Sequence, residues 1–410
     1  MRHVVVMVAS SYPRFPGDGI GSFMEPIAKG VAARGHEVHL VAPWHPAITR
    51  PKAEDGVFFH FFHYAPVKSL NVFGYASGLR ADTEVRSSAW LVAPLALAAG
   101  TFKAWRVATK KRATIMHGHW VVPGGAMAAR ARGARPLVVS VHGSDVFLAE
   151  RSAVVRRAAR RAFETAAHVT ACSDDLRTRS IALGADAATT ETVPYGVDSH
   201  RFAASPADRV GVRQALGLGD APLVFSAGRL VRKKGFEYLI DAAARLAPRY
   251  PALRVLIAGE GDLGPELTAR AAERGVRSVA LLGARPQTEI ARMMAAADVI
   301  AVPSVHDDAG NVDGLPNFAL EAMASATPVV VTTAGGLAQA VADGETGRVV
   351  PERDADALAT AISGLLDQPD RARALGLAAR ARVERDFSWA RVAARFEAIY
   401  DDAVARARRA

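Results

Sequence analysis

The chain alternates short apolar runs with longer segments in which apolar positions recur every three or four residues. One set of runs, at residues 4–9, 37–42, 114–117, 137–142 and 168–171, is dominated by Val, Leu, Ile and Ala. A second set follows at residues 223–227, 254–258, 279–282, 299–302 and 328–332. Apolar runs of this length suit strands buried on both faces of a parallel sheet. The spacing between them predicts amphipathic helices over 22–34, stopped by Gly35, over 235–246, stopped before Pro248, over 289–296, and over 317–326. Strands and helices in alternation imply α/β layers joined by right-handed crossovers.

Residues 199–220 carry no strand pattern, which places a linker at about 196–205. The expected organisation is one Rossmann-like parallel-sheet domain at 1–200, a second at 201–385, and a helical segment at 386–410 that packs back on the first. Residues 370–410 read as helical, with Phe387 and Trp389 marking a break. Open parallel sheets bind ligands at the carboxyl ends of their strands. Two such domains facing each other are therefore expected to hold a site in a cleft between them.

Composition narrows the class. With 410 residues, 50% hydrophobic and 22% charged, the chain can fill two cores, which excludes a disordered or fibrous protein. A single cysteine, Cys172, excludes a disulfide framework and a cysteine-based zinc site and fits a reducing compartment. Lys and Arg number 51 against 41 Asp and Glu, a net +10 that favours anionic partners. The first apolar run is too short for a secretory signal, and the longest, at 89–100, is interrupted by Pro94 where a spanning helix needs ~20 residues. The expectation is a cytoplasmic protein with no anchor of its own.

The candidate chemistry sits at predicted strand ends. Gly17, Gly19 and Gly21 form a loop directly after the first strand, where backbone can approach a ligand and a helix start offers N–H groups to an anion. Its spacing is not the GxGxxG of dinucleotide binding. His117-Gly118-His119 and His142-Gly143-Ser144-Asp145 end neighbouring strands, and histidines there can contact hydroxyls or phosphate and move protons near neutral pH. Burial as ordinary core histidines is the competing reading, strongest for His117. In the second half, Gly228-Arg229-Leu230-Val231-Arg232-Lys233-Lys234-Gly235 lies between a strand and a helix. Fixed cations and a helix amino terminus converging on one point suit a diphosphate. Further on, Asp313-Gly314-Leu315-Pro316-Asn317 leads into a helix that carries Glu321. Two carboxylates eight positions apart can hold two separate hydroxyl-bearing parts of one ligand.

Two further features concern partners. Asp354-Ala355-Asp356 could suggest a divalent metal, but its place at a helix start favours capping, and no metal is expected. Basic clusters at 103–112 and 151–161 resemble membrane-surface segments as much as ordinary solvated helix faces. Aromatic residues total only 7% and no readout module is present, so nucleic acid is not an expected partner.

The order of these motifs, with GEGD at 259–262, ATPVV at 326–330 and Phe387-Ser388-Trp389 near the end, resembles the retaining nucleotide-sugar glycosyltransferases of family four, from about residue 4 to 403. That resemblance implies the GT-B architecture, with an acceptor-side and a donor-binding Rossmann-like domain. It implies that Arg229 and Lys234 hold the donor diphosphate, that Glu321 binds the nucleotide ribose, and that Asp313 contacts the transferred sugar. Glu is the more usual residue at the position of Asp313. Gly314, Leu315 and Asn317 would aim backbone N–H groups at the departing phosphate, and Gly283-Ala284-Arg285 matches the base-binding segment. Gly19 and Gly21 belong to the donor side of the first loop, and His119 and His142 to the position beside the reacting carbon. The implied reaction moves a hexosyl residue from a UDP- or GDP-sugar to a saccharide or lipid-linked acceptor, with retention and without cofactor or metal. The implied setting is cell-envelope polysaccharide synthesis; a lipid-linked acceptor would suit the membrane-surface reading of the two basic clusters, with peripheral contact at the inner membrane face, against the solvated-face reading that stands beside it. A dehydrogenase would need GxGxxG with an acid ~20 residues on, which neither half has. An epimerase would need catalytic acids in the first half, where none stands out. A non-catalytic nucleotide-sugar sensor would share the donor residues.

Overall fold

The computed structural model describes residues 1–65, 71, 73–75, 79–80, 84–85, 87–203 and 205–409, in two compact units. The first joins Met1–Pro194 with Trp389–Ala410, and the second is Tyr195–Ser388.

In the first unit the strands are β1 (Val4–Val8), β2 (Glu37–Pro43), β3 (Ala53–Glu54), β4 (Val57–Phe62), β5 (Leu79–Arg80), β6 (Glu84–Val85), β7 (Ile115–His119), β8 (Leu137–Val141), β9 (His168–Ala171) and β10 (Thr190–Thr192). Eight of them form a sheet in the order β10-β9-β8-β7-β1-β2-β4-β3, parallel except where β3 meets β4; β5 and β6 make a separate antiparallel ribbon. β8 is buried along its whole length, as strands covered by helices on both faces must be. Chain order reverses between β1 and β7, so the loops after these two strands flank the crevice where such sheets take ligands.

The last helix, Trp389–Arg409, belongs to this unit. Val392, Phe396, Ile399, Tyr400 and Ala403 recur at helical spacing and enter the same core as Met7, Met24, Leu40 and Ile115. Polar contacts fix its rotation: His3 Nε2 lies 3.0 Å from Asp401, and His168 Nε2 lies 2.6 Å from Asp402.

The second unit holds β11 (Leu223–Ala227), β12 (Arg254–Ala258), β13 (Val279–Leu281), β14 (Val299–Val302), β15 (Val329–Thr332) and β16 (Arg348–Val350). They form one parallel sheet in the order β13-β12-β11-β14-β15-β16. Its switch point lies between β11 and β14.

Several boundaries differ from expectation. The first helix runs Met24–Ala33 instead of starting at 22, because residues 21–24 make a turn closed by Met24 N–H on the Gly21 carbonyl. The chain leaves the first unit after Pro194, ahead of the linker placed at 196–205, and Val197 is hydrogen-bonded to Phe387 inside the second unit. The apolar run at 89–100 lies within a helix, Ser87–Lys110, that contains Pro94. Part of the stretch 43–80, which carries no legible motif, lies outside the described residues.

Candidate functional site

In the second unit the loops after β11, β12, β13 and β14 are stitched together by their backbones. Gly228 N–H donates to the Ala258 carbonyl, Leu230 N–H to Glu260, Gly259 N–H to Gly283, and Val305 N–H to Lys233. The last of these bonds bridges the switch point. Gly235 closes the basic loop in a left-handed conformation (φ +64°), and a Cβ there would lie 1.9 Å from the Pro303 carbonyl oxygen. Only glycine fits that position. The following helix, Phe236–Leu246, buries Phe236, Leu239, Ile240 and Ala243 against the sheet, so the loop rests on a rigid base.

This frame gathers the charged side chains. Lys234 passes over Gly228, where an added Cβ would sit 3.3 Å from Lys234 Cε, and its Nζ lies 2.5 Å from Asp313 Oδ2. Lys233 Nζ lies 2.9 Å from Asp313 Oδ1. Burial alone would raise the pKa of Asp313, but the Lys233 and Lys234 charges override it and hold the carboxyl well below the usual range. One carboxylate between two ammonium groups leaves the cluster net cationic; Arg229, four positions before Lys233 in the same loop, is exposed.

Eight residues on, Glu321 lies inside the helix Asn317–Ala324. Burial pushes its pKa up to about 7, against the opposing effect of a hydrogen bond from Gln287 Nε2 (2.9 Å) and the charges of Arg201 and Lys234. Gly314 and Leu315 are buried, and the Gly314 carbonyl accepts from Gly336 N–H at 2.6 Å. The Asn317 Oδ1 atom is buried without a hydrogen-bond partner. Arg285 is exposed, with its guanidinium 3.6 Å from Glu289 on the succeeding helix.

In the first unit, the two histidines that end β7 and follow β8 stack on each other, 5.4 Å between centroids and 11° from parallel. His119 Nδ1 and His142 Nε2 are 3.2 Å apart. His119 is fully buried, its Nε2 has no hydrogen-bond partner, and burial drives its pKa down to about 3. His142 reaches solvent and packs against Phe23 and Trp120 at 4.6 and 4.8 Å. Burial, with His119 nearby, keeps it well below the usual histidine range, so both rings are neutral at pH 7. His117 is a core residue, bonded to Tyr400 Oη and Ser140 Oγ at 2.7 Å each. In the loop after β1, Gly19 is exposed and Gly21 half-buried, and Asp18 ties the turn by accepting from Arg14 and from Ile20 N–H.

Three contributors are invisible in the motif reading. Lys233 is one of three consecutive cations, and sequence does not say which of them reaches Asp313. Gln287 meets Glu321 across 34 positions. Asp145 accepts from Val121, His142 and Gly143 N–H groups and so anchors the turn behind His142, a role that HGSD spacing alone does not announce. For metal, among the described residues no group of three or more His, Cys, Asp or Glu is placed to hold an ion. Asp354 caps its helix by accepting from Ala357 N–H at 2.8 Å, and Asp356 pairs with Arg245.

Known proteins resemble this chain in sequence and in fold. Residues 17–201 match the family described as Glycosyltransferase Family 4, and residues 211–382 match Glycosyl transferases group 1. A GDP-mannose-dependent alpha-(1-6)-phosphatidylinositol monomannoside mannosyltransferase of Mycolicibacterium smegmatis is 39% identical over 263 residues, 64% of this chain and 69% of that protein. A glycogen synthase of Mycobacterium tuberculosis is 29% identical over 97% of this chain and 94% of its own. Among solved structures, sucrose-phosphate synthase from Thermosynechococcus elongatus superimposes with a TM-score of 0.80 at 22% identity, covering 99% of this chain and 100% of that one. Anabaena HepE in complex with UDP gives 0.77 at 23% identity, over 96% and 98%. With its two parallel-sheet units in the GT-B fold, the chain belongs to the group 1 glycosyl transferases and is an enzyme that transfers sugar from a nucleotide-sugar donor.

Proposed function

We propose that this protein moves a hexosyl residue from a nucleoside-diphosphate sugar to a saccharide or lipid-linked acceptor, with retention of anomeric configuration and without a metal ion. The observation that carries this reading is the net cationic cluster of Lys233, Lys234 and Asp313 at the switch point of the second sheet, with Glu321 in the first turns of the helix Asn317–Ala324 that follows it. Lys234 and Arg229 take the donor diphosphate, Glu321 the ribose hydroxyls, and Asp313 a hydroxyl of the transferred sugar. As the sugar–phosphate bond breaks, negative charge grows on the leaving phosphate, where Lys234, Arg229 and the N–H groups entering the helix Asn317–Ala324 stabilise it. Fixed cations supply the neutralisation that a divalent ion gives in other sugar transferases. Attack from the leaving-group face needs no carboxylate nucleophile, and none is assigned.

GDP-mannose is the first donor to test, because the mycobacterial mannosyltransferases named for it reach 35–39% identity over about two thirds of this chain. The experiment is a thermal-shift series with GDP, UDP, ADP and their sugar conjugates. A ligand at about 100 times its Kd adds ~2.7 kcal/mol to stability. The donor that shifts the melt is then given with candidate acceptors, and the product's anomeric configuration is read by NMR. Inversion would overturn the retaining mechanism, and no shift with any nucleotide would overturn the donor site.

A further inference from the structure

The first unit carries an uncovered apolar stripe. On the helix Ser87–Lys110, Leu95 is 55% exposed, Phe102 58% and Trp105 48%. With exposed Ala98 they lie at helical spacing along one side, about 15 Å of axis at 1.5 Å per residue. The Phe102 and Trp105 rings lie 5.8 Å apart, so the aromatic surface is continuous. The inner face of the same helix is sealed: Val92, Ala96, Ala104, Val107 and Ala108 are buried. Helices of soluble proteins turn such residues inward, and an exposed aromatic stripe marks a contact surface.

The surroundings are cationic. This helix packs beside Ala126–Ala131, which packs in turn beside Ala153–Thr165, so the three lie in one layer. Together they carry eight Lys and Arg side chains and a single acid, Glu164, which is paired with Arg160. Lys110, Arg106 and Arg130 are exposed on the first two helices, and Arg157 and Arg161 on the third, where Val154 is 70% exposed. Not every basic residue of the sequence clusters contributes: Lys111 sits over the Phe58 ring at 5.6 Å.

We propose that this three-helix layer is a docking surface for an anionic lipid bilayer, with Phe102 and Trp105 entering the interface and the flanking cations meeting headgroup phosphates. The charge pattern selects this occupant. A helix with an apolar face set among Lys and Arg binds in the plane of a bilayer and gains from negative lipids. Among the described residues no helix is long and apolar enough to cross a membrane, so the contact is one of lying on the surface. A protein partner or a second copy of this chain would have to bring a matching acidic rim around an aromatic-binding groove.

The test is flotation of the full chain with phosphatidylcholine vesicles, with and without phosphatidylglycerol, at low and high salt. It needs neither donor nor acceptor, so its result is independent of the proposed reaction. The chain should float with the anionic vesicles only, and salt should weaken it. Phe102→Ser with Trp105→Ser should lower the apparent affinity about tenfold or more, and Arg157→Glu with Arg161→Glu by a similar factor. All four positions are exposed, so melting temperature and nucleotide-induced shift should stay at wild-type values; those two readouts also establish that the variants fold. Three outcomes would overturn the proposal: no flotation of the wild type, flotation unchanged in both folded variants, or self-association that Phe102→Ser with Trp105→Ser abolishes in the absence of flotation.

Discussion

Glu321 works against the stability of the protein that carries it. Its carboxyl has an ordinary pKa of 4.5 and is pushed up to about 7 by burial in the helix Asn317–Ala324. The native state therefore keeps this proton up to about pH 7, whereas the unfolded chain releases it near 4.5. Folding gains from the group below that window and loses the gain as pH rises through it. At 1.36 kcal/mol for each pH unit, the displacement amounts to about 3 kcal/mol. Glu321→Gln removes the titration and keeps an acceptor for the Gln287 amide. The expected outcome is a variant more stable than the wild type at pH 8, by up to ~3 kcal/mol, and no more stable at pH 4. For a unit of this size that is of order 6–12 °C in the melt of the second unit. Urea unfolding of both proteins from pH 4 to 8 measures it, followed by thermal shifts with the nucleotide that binds the wild type. The variant should lose that nucleotide, since an amide presents only one acceptor oxygen to a pair of ribose hydroxyls. Parallel stability profiles would refute the burial argument, and retained nucleotide affinity would refute the ribose assignment; the two failures are separable.

Other expectations concern individual side chains. Lys234→Ala should lower turnover on the order of a hundredfold or more while the fold persists, as loss of one preorganised charge on a leaving group does; an active variant would sink the diphosphate assignment. His142→Ala should reduce turnover with little loss of stability, whereas His117→Phe should cost roughly 1–3 kcal/mol for the Tyr400 hydroxyl left unpaired, Ser140 keeping its bond to Thr170; denaturant melts beside initial rates separate the two. Asp354→Ala should cost ~1 kcal/mol as a lost helix cap and leave activity intact, and EDTA should not inhibit. Inhibition by EDTA that a divalent ion reverses would return the Asp-x-Asp pair to consideration as a metal site.

The second sheet was legible because its strands are short, apolar and uninterrupted. Leu223–Ala227, Arg254–Ala258 and Val299–Val302 match the expected runs residue for residue. β4 escaped because Val57-Phe58-Phe59-His60-Phe61-Phe62 reads as an aromatic patch with a polar break, and β16 because three residues carry no periodicity. The helix Ser87–Lys110 was hidden by Pro94, which propensity treats as a breaker. At the site, strand-end position and residue type pointed to the basic loop at 228–235 and to the carboxylates Asp313 and Glu321, while Arg229 and Lys234 were singled out within that loop by the family resemblance. They could not rank His119 against His142, since only packing decides which ring is sealed off. Nor could they distinguish Lys233 from its neighbours, because direction within a tight turn depends on backbone angles that three consecutive cations do not encode.

The two carboxylates of the loop and helix after β14 are driven to opposite states by what surrounds them. Both are largely removed from water, which raises each pKa; Asp313 meets two ammonium groups within 3 Å and stays ionised, while Glu321 meets a neutral amide and rises to about 7. Swapping the environments would swap the states, so the difference belongs to Lys233, Lys234 and Gln287 more than to Asp against Glu. This separation has a consequence for donor binding under the assignment proposed above. An incoming diphosphate competes with Asp313 for Lys234, and the lysine it draws away leaves Asp313 with less compensation, ready to accept a hydrogen bond from a sugar hydroxyl. Glu321, close to half-protonated at neutral pH, gains its charge when ribose hydroxyls arrive to donate to it. Donor affinity should then rise with pH through about 7 as Glu321 ionises, and an affinity that stays level from pH 6 to 8 would refute this coupling.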